Sequence, residues 1–355
     1  LPTRGVAPLP RLSAAEALDL LERGDLLDLG RRADSFCRRM HPEAWRTYAI
    51  DRNINFTNLC DCRCRFCAFW RPEDSPEAYV LSDDALLAKV REAVHLGATH
   101  ILAQGGTTRR LGLAFYENLL RQVKAHFDIL LHCFSPPEVH DLARREGLAV
   151  RQVLERLRAA GLDSLPGGGA EILVDRVRRI VSPAKCTADE WLSVMREAHA
   201  LGTKTTATMV FGHVETAAER IEHLARVRDL QDETGGFLAF IAWPFQAGNT
   251  RLAAEGGLPA GWRPVDGAGY LRMAAVARLF LDNVPNVQAS WVTMGPALGQ
   301  AALHFGANDL GSTMIEENVV AAAGCVHRAA PEDLRRLIRA AGFEPRVRNS
   351  RYDIL

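Results

Sequence analysis

Residues 53–71 read NINFTNLCDCRCRFCAFWR, a short β-branched run followed at once by Cys60, Cys62, Cys64 and Cys67, four cysteines within eight positions. The run predicts a strand and the cysteines predict a loop at its end. The remaining cysteines, Cys37, Cys133, Cys186 and Cys325, are scattered along the chain. That spacing is poor for a disulfide framework, so metal or redox chemistry is the expectation.

Working outward, seven further runs have strand character: THILAQGG from 99, DILLHCF from 128, DSL from 163, TKTTATMVF from 203, FLAFIAW from 237, NVQASWV from 286 and NDLGSTM from 308. Helix signals lie between them. Ser82 with Asp83 and Asp84 precedes Leu86, Leu87, Val90 and Val94, and Thr187 forms a capping box with Glu190 ahead of Gly202. Strands alternating with helices imply right-handed βαβ units and a parallel sheet. Eight units favour an α/β fold of the closed (β/α)8 TIM-type barrel over a doubly wound sheet, with six or seven strands the alternative count because DSL is weak. Ser13 and Glu16 form another capping box before a leucine-rich stretch that runs to about residue 44. The expected organisation is an N-terminal helical extension over 1–45, a barrel over 46–325, and a C-terminal helical and extended segment over 326–355 packed on it.

Lys plus Arg and Asp plus Glu both number 43. With no net field to draw nucleic acid or an anionic membrane, a small-molecule ligand is expected. No run of about 18 apolar residues is present, and LPTRGVAPLP lacks the regions of a signal peptide, so a cytoplasmic location is expected.

In such barrels the chemistry gathers where strands end. The strand ends here carry the cysteines, then QGG (Gln104, Gly105, Gly106), SPP (Ser135 onward), GGGAE (including Gly168 and Glu171) and FGH (His213). A structural zinc site wants four ligands, usually in two pairs, and no second pair exists at finger or ribbon spacing. A thioredoxin-like C-x2-C pair would leave the other cysteines unexplained. Iron and sulfur fit better, because a loop can wrap three thiolates around one face of a four-iron cube and leave the fourth iron open.

Cys60, Cys64 and Cys67 form C-x3-C-x2-C with Phe66 just before the last cysteine. This motif, in this position, resembles the radical S-adenosylmethionine (radical SAM) superfamily. The resemblance implies a [4Fe-4S] cluster on those three cysteines, with S-adenosylmethionine on the open iron and an electron donor such as flavodoxin or ferredoxin. Cys62 then falls among spacer residues, its thiol directed elsewhere. It also implies that Gln104, Gly105, Gly106, Ser135 and Gly168 approach the cofactor and that Glu171 accepts hydrogen bonds from its ribose. Arg178, or its neighbours Arg176 and Arg179, would pair the cofactor carboxylate. His213, facing the same mouth, is a catalytic or adenine-contact candidate, against the plain alternative of a structural histidine.

Within the superfamily, the cysteine run, LPGGGAEIL and TATMVFGHVET look like the branch of the menaquinone futalosine-pathway enzymes and the deazaflavin synthase subunits. FLAFIAWPFQAGNT, NVQASWVTMGPALGQAALHFGAND and GSTMIEENVVAAAG are most similar to its futalosine-pathway cyclases. That implies a role in menaquinone biosynthesis and a substrate, dehypoxanthine futalosine, in which a bond closes from ribose C4′ to a benzoate ring. Gln288, Ser290, Thr293 and Asn308 are the expected substrate contacts, Ser290 and Thr293 on the carboxylate, and Glu316 or Glu317 the proton acceptor. STMIEEN reads equally well as a helix start with acidic residues favoured by the dipole. Ala242, Ala247 and Met294 depart from the pattern, so a changed pocket shape is expected. The alternatives are an aminofutalosine synthase, a deazaflavin synthase subunit, or a non-catalytic iron-sulfur protein.

Overall fold

The computed structural model describes residues 11–355, so the reading of LPTRGVAPLP lies outside the described residues. Two helices come first, Ala14–Arg23 and Leu26–Met40. Ser13 and Glu16 close the expected capping box on the first, and Asp25 accepts from the Asp28 N–H on the second. Ten strands follow: β1 (Trp45–Ala49), β2 (Asp51–Asn55), β3 (His100–Gln104), β4 (Leu130–Cys133), β5 (Ser164–Leu165), β6 (Lys204–Phe211), β7 (Phe237–Pro244), β8 (Asn286–Gln288), β9 (Asp309–Ser312) and β10 (Glu344–Val347).

All of them belong to one parallel sheet in the order β10-β1-β9-β8-β7-β6-β5-β4-β3-β2. β1 and β2 are one chain segment broken only at Ile50, with β1 paired to β9 and β2 to β3. The sheet therefore curls back on itself. The Thr313 N–H to Ala49 O (3.1 Å), Ile315 N–H to Asp51 O (2.9 Å) and Asn53 N–H to Glu316 O (3.2 Å) bonds join the segment after β9 to β1 and β2. The eight predicted strands are β2 to β9. β5 is two residues long, as the weakness of DSL suggests, and β1 and β10 were not legible as strands.

Capping places the helices where the sequence predicts. Ser82 accepts from the Ala85 N–H at the start of Asp83–His95, and Thr187 and Glu190 close their box on Ala188–Ala200. The apolar core lies between helices and sheet, with Tyr116, Phe134, Trp191 and Trp291 fully buried. Inside the ring the pattern inverts. Alternate residues of β2 (Asp51, Asn53, Asn55), β3 (His100, Leu102, Gln104) and β6 (Thr206, Thr208, Val210) face a cavity of ≈ 380 Å³. An interior this polar cannot collapse into stacked aliphatic layers, and the space stays open for a ligand. Among the described residues no helix is long and apolar enough to cross a membrane.

Candidate active site

The cysteine loop is tied down by backbone bonds to the loop after β3 and to the end of the helix Asp175–Val181. The Asp61 N–H donates to Thr107 O (2.7 Å) and the Arg65 N–H to Val181 O (2.8 Å). Arg71 closes the loop, its guanidinium donating to the carbonyls of Ala68, Phe69 and Trp70. Cys60, Cys64 and Cys67 line the cavity, whereas Cys62 lines a separate recess with His140, Cys186 and Glu190. Thr107 Oγ1 donates to Cys62 Sγ at 2.8 Å. A hydrogen bond between Cys60 and Cys62 lowers the first thiol's pKa and raises the second's, while burial pushes Cys64 and Cys67 up. Buried thiols that resist ionisation alone are relieved by coordination, which removes their protons outright. Among the described residues no three His, Cys, Asp or Glu side chains converge as a single metal ion requires. The fit of Cys60, Cys64 and Cys67 to a cluster rests instead on their shared cavity wall and on soft thiolate chemistry.

Gln104, Gly105 and Gly106 lie on the same wall. A Cβ on Gly105 would come within 2.4 Å of the Phe56 ring, and one on Gly106 within 2.1 Å of Leu59 O and 2.6 Å of Cys60 Cβ. These glycines let the cysteine loop pack against β3, a constraint separate from approach to a ligand. The Gly105 N–H donates to Glu138 Oε1 (3.1 Å), and Ser135 Oγ donates to Glu138 Oε2 (2.6 Å). Burial pushes the Glu138 carboxyl up to about 7 despite both bonds. Glu138 went unpredicted, although its S-x-x-E spacing from Ser135 at a helix start was visible in the sequence.

Gly168 and Glu171 also reach the cavity. Glu171 sits at φ +43° and is buried. Lys185 Nζ donates to its Oε1 at 2.7 Å, and among the described residues Oε2 has no hydrogen-bond partner. A buried carboxylate oxygen without a donor, facing a cavity, is suited to a ligand hydroxyl. Lys185 was missed because nothing in SPAKC marks it out. Arg178 requires correction: it lies off the cavity wall, where its guanidinium donates to the carbonyls of Gly169, Ala170 and Cys186. Bonded to backbone, and with its Nη1 3.8 Å from Glu171 Oε2, it braces the GGGAE turn and the carboxylate from behind the wall.

His213 is likewise off the wall. Its Nδ1 is 2.9 Å from Glu215 Oε2 and its ring lies edge-on to Phe245. Glu215 also accepts the N–H groups of Gly212 and His213 and is paired by Arg220 (2.7 Å). The FGH loop is a turn built around a buried carboxylate, and His213, whose Nε2 has no hydrogen-bond partner among the described residues, lies off the cavity wall, which speaks against the catalytic role expected of it.

From the second half of the barrel, Gln288, Thr293 and Glu317 reach the cavity and Ser290, Asn308 and Glu316 do not. Ser290 Oγ lies behind Thr293, 2.7 Å from its Oγ1. Asn308 bridges strands, taking the Val287 N–H (2.9 Å) and donating to Asn286 Oδ1 (2.7 Å). Glu316 turns to the opposite side of the sheet, held by Arg52 (2.6 Å), Lys89 (2.8 Å) and Asn318 (2.8 Å). Those donors outweigh burial and keep its pKa low, which unsuits it as a base. Glu317 accepts the N–H groups of Val319, Val320 and Ala321, yet burial holds its pKa up. Aromatic walls from Phe66, Phe69, Trp70, Trp243 and Phe245 were also unpredicted. Ala242, Ala247 and Met294 are all absent from the wall, so the expected change of pocket shape has no basis in their side chains.

Three thiols, one buried and two half-buried, at the mouth of a polar-cored parallel barrel, beside a glycine shelf and a buried carboxylate, fit a radical SAM enzyme. Residues 54–227 match the radical SAM superfamily and residues 234–355 match the CofH/MqnC C-terminal region. The chain is 46% identical over 346 residues to cyclic dehypoxanthine futalosine synthase of Halalkalibacterium halodurans, covering 97% of this chain and 92% of that one. It is 43% identical over 349 residues to the Streptomyces coelicolor protein of that name, covering 97% and 86%. It is also 43% identical over 310 residues to 5-amino-6-(D-ribitylamino)uracil–L-tyrosine 4-hydroxyphenyl transferase 1 of Methanosarcina acetivorans, covering 86% and 81%. Methylornithine synthase shares the fold with a TM-score of 0.73 at 16% identity, covering 95% of this chain and 94% of that one. The chain belongs to the CofH/MqnC family of radical SAM enzymes, alongside the cyclic dehypoxanthine futalosine synthases.

Proposed function

We propose that the chain converts dehypoxanthine futalosine to its cyclic form in menaquinone biosynthesis, using a [4Fe-4S] cluster on Cys60, Cys64 and Cys67 and S-adenosylmethionine. The observation that carries this reading is a single cavity bounded by those thiols at one end, Glu171 and the glycine shelf beside them, and Gln288, Thr293 and Glu317 farther along the chain. When bound, the cluster and cofactor supply a 5′-deoxyadenosyl radical that takes one hydrogen atom from the substrate.

The chain's own residues have separate tasks. Glu171 Oε2 accepts from the cofactor's ribose hydroxyls, and Glu138 fixes the Gly105 amide that shapes the shelf. Thr293 and Gln288 hold the substrate's oxygen atoms. The aromatic wall keeps water and adventitious hydrogen donors away from a carbon radical. C4′ of the substrate loses a hydrogen atom and bonds to the arene, which then gives up one electron and one proton. The Glu317 carboxylate takes that proton, its raised pKa making it the better base of the two glutamates. The electron the arene gives up equals the one that cleavage of the cofactor consumes, so the turnover is redox-neutral, and a donor such as flavodoxin or ferredoxin is called for to reduce the cluster at the outset.

Substrate deuterated at C4′ tests the reading. The label is expected in 5′-deoxyadenosine, with a product two hydrogens lighter than the substrate and about one cofactor consumed per turnover. The 43% identity to the Methanosarcina acetivorans transferase favours a second reading, transfer of a tyrosine-derived group to a pyrimidine. Turnover with tyrosine and the ribitylaminouracil, and none with dehypoxanthine futalosine, would establish that one instead.

A further inference from the structure

The segment after β10 crosses the end of the barrel opposite the thiols. The Arg348 N–H donates to Tyr48 O (2.9 Å) on β1, and its guanidinium forms a two-bond pair with Asp309 at the start of β9 (2.5 and 2.8 Å). Arg351 then reaches Asp163, just before β5 on the far side of the ring (2.8 Å). Asn349 closes the turn by accepting from the N–H groups of Arg351 and Asp353. Arg348, Ser350 and Tyr352 line the cavity from below.

Three buried polar atoms at this end lack a partner among the described residues: Ser350 Oγ, Tyr352 Oη and Asn53 Oδ1. Buried groups left unpaired cost free energy unless a ligand or water completes them. Hydroxyls can donate or accept, and an amide oxygen only accepts. The complement is therefore a group that both accepts and donates, which a sugar hydroxyl does and a carboxylate does not. Charge argues the same way. Asp51 and Asp309 sit in this layer, and the guanidinium on the cavity wall, that of Arg348, is already committed to Asp309 and to Asn349 O. The Tyr352 ring covers that guanidinium at 3.9 Å. His132 is held neutral by burial and bonded to Ser164 (2.7 Å), and His100 faces Asp51 at 3.3 Å.

We propose that Arg348–Tyr352 forms the floor of the active site and seats the hydroxyl-bearing sugar end of the substrate, Ser350 and Tyr352 donating to its hydroxyls and Asn53 accepting from one. The inference rests on the substrate reading above and adds the orientation of the substrate and the residues that select it.

Calorimetric titration of the reconstituted protein, with S-adenosylmethionine present and the cluster oxidised so that no turnover occurs, tests it. The ligands are dehypoxanthine futalosine, an analogue with ribose hydroxyls replaced by hydrogen, and an analogue with the carboxyl group replaced by hydrogen. Tyr352→Phe and Ser350→Ala are each expected to weaken substrate binding about tenfold. They should weaken the descarboxy analogue equally, and leave the deoxy analogue bound as the native chain binds it. Thermal midpoints within a few degrees of native exclude a folding explanation, and either variant alone is decisive. Equal losses on substrate and deoxy analogue, or losses that vanish only with the descarboxy analogue, overturn the floor assignment alone. Failure of the native chain to bind dehypoxanthine futalosine overturns the substrate reading and this inference with it.

Discussion

The first half of the barrel, β2 to β5, and the second, β6 to β9, face one cavity but furnish it differently. Besides alternate side chains of β2 and β3, the first half contributes contiguous motifs at strand ends: the cysteine loop, QGG, SPPE and GGGAE. Their work is done by thiols at fixed spacing and by backbone that only glycine permits, as the 2.4 Å approach of a Gly105 Cβ to Phe56 requires. In the second half, apart from the run Trp243–Gln246 at the end of β7, the polar contributions are single side chains, Gln288, Thr293 and Glu317, and Arg348, Ser350 and Tyr352 arrive from beyond β10. The first arrangement suits a cofactor shared across many reactions and the second a particular substrate. The halves should therefore fail in different ways when mutated.

The largest expected effect tests the first half. Cys64→Ser should abolish both cluster and turnover, whereas Cys62→Ser, whose thiol lies in the other recess, should retain the cluster and most activity. Iron, sulfide and visible absorbance of anaerobically reconstituted protein give the answer. If Cys62→Ser lost its iron, the division between cavity thiols and recess thiol would be wrong, and with it the claim that spacing alone marks the ligands.

That division also explains what was legible. The alternation of strand and helix, the strand ends and the three cavity thiols could be read because each is a local pattern. β1 and β10 could not, since their pairing joins residues 45–48 to 344–347, a separation no local window spans. Site residues failed for a related reason. Ser290 and Thr293 are three apart in one turn, and only packing decides that Thr293 faces the cavity while Ser290 stands behind it. Arg178, in the helix after β5, and His213, after β6, are conspicuous in the sequence, but the Arg178 guanidinium is taken up by backbone carbonyls and His213 lies off the cavity wall with its Nδ1 beside Glu215. Chemistry-bearing residue types at a strand end thus identify a region, and hydrogen-bond accounting identifies the members free to act.

A smaller effect separates two adjacent glutamates of the second half. Glu317→Gln keeps size and neighbours while removing the base, and should slow product formation on the order of a hundredfold with deoxyadenosine release less affected. In the native enzyme Glu317 must be ionised to accept the proton. Its raised pKa therefore predicts a rate that falls as pH drops, beginning above the ordinary glutamate range, a limb that the Gln variant lacks. Glu316→Gln should do the reverse. Arg52 and Lys89 would lose their common partner, costing on the order of 1 kcal/mol of stability as for partly exposed pairs, with turnover per folded molecule nearly unchanged. A Glu316 variant that folds normally yet loses its pH limb would reverse the two assignments.

The smallest effect concerns Met294, a departure from the pattern expected of a futalosine-pathway cyclase. Met294 ends the short helix Trp291–Met294, one residue beyond Thr293 on the wall, and does not itself reach the cavity. Its N–H already donates to Ser290 O (3.2 Å), a backbone bond that survives any side chain except proline. Met294→Gln should therefore leave Thr293 in place and change substrate affinity by less than about twofold, a surface-like substitution rather than a pocket change. Titration beside Thr293→Val, which deletes a wall hydroxyl, supplies the contrast, with a loss of about fivefold or more expected for Val. If Met294→Gln moved affinity as far as Thr293→Val does, the second half would be reading its substrate through residues behind the wall as well as on it.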